Sequence, residues 1–137
     1  FTLNKEKDYS YFLNLRGINY KADVFLNGKK VNMKTLEGMY QPYSLDITDK
    51  LKRFLDSQEL AIIVYPPNPP GNGTTGQGGD GTIAKSVTCQ YMAGWDWVQT
   101  TRDRSTGIWD DVSIEKVRNV KLVNSHFISN VTGTRVP

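Results

Sequence analysis

A chain of 137 residues, 38% hydrophobic and 23% charged, has room for one domain with its own core and not for two. Its net charge of +3 contains no block of five like charges, and it has no run of about 18 apolar residues; nucleic-acid binding by charge alone and membrane insertion are both disfavoured. The single cysteine, Cys89, excludes an internal disulfide and fits an alternating run as a small buried hydrophobe.

In chain order, period-two patterning comes first. Tyr11, Leu13 and Leu15 fall on one face of a predicted strand and Phe12, Asn14 and Arg16 on the other. Tyr20 to Leu26 alternates again and runs into Asn27-Gly28, the residue pair of a tight hairpin with positive φ at both central positions, followed by Lys29-Lys30-Val31. Gln41 to Ile47 reads as a strand with Pro42 at its entry. Thr48 to Leu55 offers a cap residue and an apolar stripe sufficient for one or two helical turns. Leu60 to Tyr65 is continuously apolar, as expected of a strand buried on both sides.

Pro66 to Thr82 is dominated by proline and glycine and reads as a long loop of the kind that carries function. Its Gly71-Asn72-Gly73-Thr74-Thr75-Gly76 matches the dinucleotide-binding glycine pattern, but no amphipathic helix starts inside it to receive a pyrophosphate, so no nucleotide is expected. Strand sequence resumes at Ser86 to Met92. Gly107 to Val117 alternates, with Ile108, Val112 and Ile114 opposite Trp109, Asp111, Ser113 and Glu115. Val120 to Val131 is strand-like once more, after a linker-like Arg118-Asn119. Many short strands with almost no helix predict an all-β fold, an antiparallel β-sandwich.

All three tryptophans lie between Gly94 and Asp111, together with four aspartates and two arginines. Indole faces stack on the C–H faces of a pyranose, and carboxylates and guanidinium groups hold its hydroxyls, so sugar recognition is one reading of this stretch. The other is a piece of core. Trp109, on the polar face of its strand, suits a structural role beneath Arg102 or Arg104 better than sugar contact. The arginines in turn suit pairing with Asp103 or Asp110. His126 has no partners at ligand spacing, and neither a metal nor another cofactor is expected. Glu6, Glu37, Glu59 and Glu115 read as solvated surface residues. Asp110 and Asp111, adjacent on a strand, would point to opposite faces and could not share a substrate.

Four stretches together resemble a known family. They are Leu15-Arg16-Gly17-Ile18 through Lys30-Val31, Gly38-Met39-Tyr40 through Lys50-Leu51, Leu60 to Pro67, and Gly94-Trp95-Asp96-Trp97 with Arg102 to Asp110. The chain resembles the N-terminal sugar-binding domain of glycoside hydrolase family 2, in the branch of β-mannosidases, mannosylglycoprotein endo-β-mannosidases and exo-β-glucosaminidases. The likeness covers roughly residues 1–117, and its last stretch is specific to that branch. It implies a galactose-binding-like jelly roll over 1–117, followed at 118–137 by a linker and the opening strand of an immunoglobulin-like domain. Phe1 in place of an initiating methionine, leading directly into strand sequence, agrees with a piece of a longer chain.

The resemblance further implies that the catalytic glutamate pair of a retaining glycosidase, about 5–5.5 Å apart, belongs to a barrel domain elsewhere in the parent chain. Trp95, Asp96 and Trp97 would then reach into the barrel's pocket and bind the sugar of a β-linked glycan. Asp96 would accept hydroxyl hydrogen bonds, and the two indoles would wall the pocket or anchor the loop. Val98, Thr100 and Ser105 depart from the branch's pattern and leave the sugar open. For a bacterial parent the family points to periplasm, cell surface or secretion; plant relatives also exist. A free-standing carbohydrate-binding module is the alternative function.

Overall fold

The computed structural model describes residues 1–52, 57–67, 86–88, 106–123, 125–130 and 133. Among the described residues nine strands run in the order β1 (Ser10–Leu15), β2 (Ile18–Asn19), β3 (Lys21–Leu26), β4 (Lys29–Lys30), β5 (Leu36–Glu37), β6 (Tyr43–Asp46), β7 (Leu60–Tyr65), β8 (Gly107–Ile108) and β9 (Val112–Val117). The only helical element among the described residues is a single 3-10 turn, Thr48–Lys50. The pairings among these nine strands are all antiparallel.

Two sheets face each other because two strands bury every second side chain. In β1 the buried residues are Tyr11, Leu13 and Leu15; in β3 they are Ala22, Val24 and Leu26. These six form one core with Ile18, Leu36, Ile47 and Leu51. Each fully buried leucine contributes roughly 1.5–3 kcal/mol from removal of its surface from water. β6 and β9 flank β1 in the first sheet. In the second, β7 pairs with β3 along its whole length, from Lys21↔Tyr65 to Leu26↔Leu60. The architecture is the expected antiparallel β-sandwich.

The opposite edge of β3 is built differently. β4 meets it only at Phe25 and Leu26, and β5 only at Lys21 and Ala22. The buried side chain of Asn32 fills the gap. Val24 N–H donates to Asn32 Oδ1 at 2.8 Å, while Asn32 Nδ2 donates to Lys34 O at 2.8 Å and to Ala22 O at 3.3 Å. A carboxamide carries the donor and acceptor of a peptide group, so one side chain continues the ladder that the backbone leaves open.

The hairpin turn is as expected, with φ of 52° at Asn27 and 76° at Gly28. Asn27 also works at longer range. Its Nδ2 donates to Lys50 O and Gln58 Oε1, and its Oδ1 accepts from Glu59 N–H, which ties the turn to two other segments.

Four local expectations change. β7 buries only one face: Leu60, Ile62 and Val64 pack on the core, while Ile63 and Tyr65 are exposed. A two-layer sandwich has one interior, and a continuous apolar run cannot say which of its faces meets it. Second, Thr48 does not cap the turn, for its hydroxyl accepts from Tyr11 N–H at 2.8 Å; the carboxylate of Asp46 takes Thr48 N–H at 2.9 Å instead. The remainder of the expected helix includes 53–56, outside the described residues. Third, Gly107 to Val117 is two strands rather than one. Asp111 N–H donates to Asp110 Oδ1 at 2.7 Å in a bend between β8 and β9, so these aspartates are not strand neighbours. Finally, residues 118–123 and 125–130 carry no strand, and their apolar side chains are exposed.

Candidate functional site

Trp95, Asp96 and Trp97, together with Arg102, Asp103 and Arg104, lie outside the described residues. Thr106 to Asp111, where this segment rejoins the sheets, is described, and it forms a tightly tied corner. β8 pairs with β2 through Ile18↔Ile108 and Asn19↔Gly107. Trp109 N–H donates to Gly17 O at 3.1 Å, and Arg16 N–H donates to Asp111 O at 3.1 Å. The chain leaving β1 and the chain entering β9 are thus held together on both sides of the bend.

The Trp109 indole joins a third segment to this corner. Its Nε1–H donates to Met39 O at 3.1 Å, and the Tyr40 ring meets it edge-on, with centroids 6.1 Å apart and planes at 68°. Gly17 lies directly beneath it. A Cβ at Gly17 would fall 2.8 Å from both Trp109 Cδ2 and Asp110 Cβ, and closer still to Trp109 Cε2, so only glycine permits this approach. The contact with the two ring-fusion carbons puts the indole's face, not its rim, over the glycine. The indole N–H takes the Met39 carbonyl as its acceptor although the bond lies at the surface.

Trp109 therefore has a structural role, but it acts from the connection between β8 and β9 rather than from a strand face, and with other partners. Gly17, Met39 and Tyr40 hold it among the described residues; Arg102 and Arg104 are outside them. The residue is still 49% exposed, beside an exposed Tyr40, so the corner presents an aromatic pair at the surface. Sequence reasoning missed Gly17, Met39 and Tyr40 as its partners. The Met39 contact spans 70 residues, and no local pattern announces it.

Four of the described carboxylates form ion pairs with lysines. Asp23 meets Lys30 at 2.8 Å, Glu115 meets Lys121 at 2.9 Å, Glu37 meets Lys21 at 3.3 Å, and Glu6 pairs with Lys116. The Lys30 ammonium, helped by Thr35 and Asn32, holds the Asp23 carboxyl below its ordinary range. Lys121 and then Asn14 do the same for Glu115, and Glu6 raises the Lys116 ammonium. A general acid needs a carboxyl pushed up toward the working pH, and these two are pushed down. Among the described residues no group of three His, Cys, Asp or Glu could hold a metal, and no helix is long and apolar enough to cross a membrane.

Residues 1–110 match the family of glycosyl hydrolase 2 galactose-binding domain-like domains. A mannosylglycoprotein endo-beta-mannosidase of Lilium longiflorum is 46% identical over 121 residues, which cover 86% of this chain and 12% of the lily protein. An exo-beta-D-glucosaminidase of Amycolatopsis orientalis is 31% identical over 122 residues, covering 88% of this chain and 10% of that protein. The crystal structure of an exo-chitosanase from the same organism superposes with a TM-score of 0.57 at 29% identity, over 85% of this chain and 12% of that one. The chain thus spans about a tenth of the length of these relatives.

Proposed function

The chain belongs to the glycosyl hydrolase 2 galactose-binding domain-like family, and from that membership we propose that it serves as the non-catalytic sugar-binding domain of a larger retaining β-glycosidase. The observation that carries this reading is the family match across residues 1–110, which takes in the tryptophan segment, joined by 46% identity to an enzyme that acts on mannosylglycoproteins. The substrate class proposed is a β-linked glycan of mannose or glucosamine. Residues 118–137 lead toward a following domain of immunoglobulin type, a reading supported by apolar tail side chains such as Phe127 and Ile128 that have no cover.

In this reading Trp95, Asp96 and Trp97 complete the pocket of a barrel domain that carries the catalytic glutamates. Asp96 accepts hydrogen bonds from sugar hydroxyls, and Trp95 and Trp97 wall the pocket or hold the loop against the barrel. The Trp109 corner supports the proposal mechanically. A loop that must place a carboxylate against a substrate needs a rigid base, and β8 with the Trp109 clamp is such a base on its C-terminal side.

Asp96→Ala in the full-length parent enzyme tests the assignment. Loss of a charge-assisted hydrogen bond of about 1.5–3 kcal/mol lowers kcat/KM by roughly ten- to more than a hundredfold, with folding intact. Asp111→Ala is the control, because Asp111 serves the corner through its backbone carbonyl; its kinetics should match wild type. Equal activity of Asp96→Ala and wild type would remove the tripeptide from the site. Titration of the 137-residue chain alone should give millimolar or no binding of monosaccharides. Micromolar binding of a mannose- or glucosamine-containing glycan would instead favour a free-standing module.

A further inference from the structure

The chain leaves β9 at Val117 and crosses the outer face of the first sheet, where one ammonium group touches all three strands. Lys121 Nζ lies 2.9 Å from Glu115 Oε2 on β9, donates to Ser44 Oγ on β6 at 3.0 Å, and stands 4.1 Å from the centroid of the Phe12 ring on β1. Glu115 is itself oriented by Asn14 of β1, whose Nδ2 donates to the same oxygen at 3.3 Å. Closer to β9, the Arg118 guanidinium lies 5.7 Å from the Tyr9 ring centroid, and Lys116 lies over that ring at 4.1 Å.

The neighbours of Lys121 invert the usual order. Val120 is 84% exposed and Leu122 is 82% exposed, whereas the Lys121 side chain is only 20% exposed. Around this position the charged residue turns toward the protein and the apolar ones turn to water. Hydrophobic burial cannot produce that orientation. The ion pair, the hydroxyl and the aromatic face around Lys121 can, because together they offer an ammonium more than water contact alone.

We propose that Lys121 is a latch that pins the exit segment across the β6–β1–β9 sheet, so that the chain leaves this domain in a set direction with Val120 and Leu122 facing outward. Lys121 is a positioning residue, and its action does not rest on the sugar-binding reading. A single surface ion pair would be too weak to order a segment, being worth about 0–1 kcal/mol. Here three contacts from three strands converge on one group, and the loss of rotamer freedom is incurred once for all of them.

The test uses the complete 137-residue chain and its Lys121→Met variant, which keeps the aliphatic stem and removes the charge and donors. Amide 15N heteronuclear NOE values for residues 119–123 should be high in wild type and fall in the variant to those of residues 125–130. Chymotryptic cleavage after Leu122 should become roughly three- to tenfold faster. Glu115→Gln should shift both readouts in the same direction, and Lys29→Met, an exposed lysine in the hairpin, should leave both unchanged. The thermal midpoint should stay near wild type throughout, since the core is untouched. Unchanged order at 119–123 in Lys121→Met overturns the latch. So does an equal loss in Lys29→Met, or a wild-type exit segment as mobile as residues 125–130.

Discussion

β1 and β3 bury alternate side chains in the same rhythm, yet they complete their outer edges by different means and are followed by glycines required for different reasons. β1 has a backbone ladder on both sides, with β6 from Phe12 to Leu15 and with β9 from Ser10 to Leu15. β3 has one full ladder, with β7, and on its other edge depends on the Asn32 side chain between β4 and β5. After β1 comes Gly17, which is required because an indole occupies the space of its missing side chain. After β3 comes Gly28, which has nothing within 4 Å but sits at φ +76°. Identical alternation in sequence thus conceals one edge held by peptide groups throughout and another whose backbone pairing is bridged at its middle by a carboxamide.

The largest expected effect breaks that second edge. Asn32→Leu leaves the buried Val24 N–H without its acceptor, at about 1–3 kcal/mol, and also removes the bonds that Asn32 donates to Ala22 O and Lys34 O, so it should lower stability by about 2–4 kcal/mol in a urea melt. Asn14→Leu on β1 loses only a 3.3 Å bond to Glu115 on the outer face and should stay within about 0.5 kcal/mol of wild type. Similar losses at both positions would show that the β3 edge does not depend on Asn32.

The glycine pair sharpens the comparison next. Gly17→Ala drives a methyl into Trp109 and Asp110 and should cost about 1–3 kcal/mol, with a change in the near-ultraviolet signal of the displaced indole. Gly28→Val meets no steric neighbour and should cost about 1–2 kcal/mol through its left-handed backbone. Asparagine separates the two causes. Gly28→Asn should recover most of the stability, because asparagine tolerates positive φ, whereas Gly17→Asn should be at least as damaging as Gly17→Ala. Rescue at both sites, or at neither, would overturn the assignment of separate reasons.

The smallest effect is electrostatic. Asp23 on β3 is held below its ordinary value of 3.8 chiefly by Lys30. A carboxyl with a depressed folded pKa contributes stability that is present above the unfolded value and is lost as pH falls through the folded one. Acidification below 3.8 should therefore lower the melting midpoint more in wild type than in Asp23→Asn, and the two curves should run parallel above pH 5. Glu115, lowered by Lys121 and Asn14, should behave in the same way on the other sheet. A midpoint that rises on acidification would contradict both.

The candidate site was legible unevenly. Family motifs in Gly94 to Asp110 are what propose the segment, of which 94–105 lie outside the described residues, and the position of Trp109 among polar residues pointed to a structural indole. Its floor and its hydrogen-bond acceptor, Gly17 and Met39, could not be read, because nothing in either local sequence names the other. Asp110 and Asp111 were misplaced for a related reason: alternation continues through Trp109 to Asp111 although the backbone bends there.

What the sequence determined by itself is what short-range sterics and periodicity control. The alternation in β1 and β3 fixes which side chains can share a face, and Asn27-Gly28 selects a turn with two positive φ angles, so both were readable without a partner in view. The tertiary structure alone decided which face of β7 meets the core, that Asn32 substitutes for backbone on one edge, and that Lys121 reaches Ser44 across 77 residues. A strand's period divides its side chains into two sets but does not say which set is inside, and a polar side chain's partner depends on which chain segments packing brings within hydrogen-bond reach.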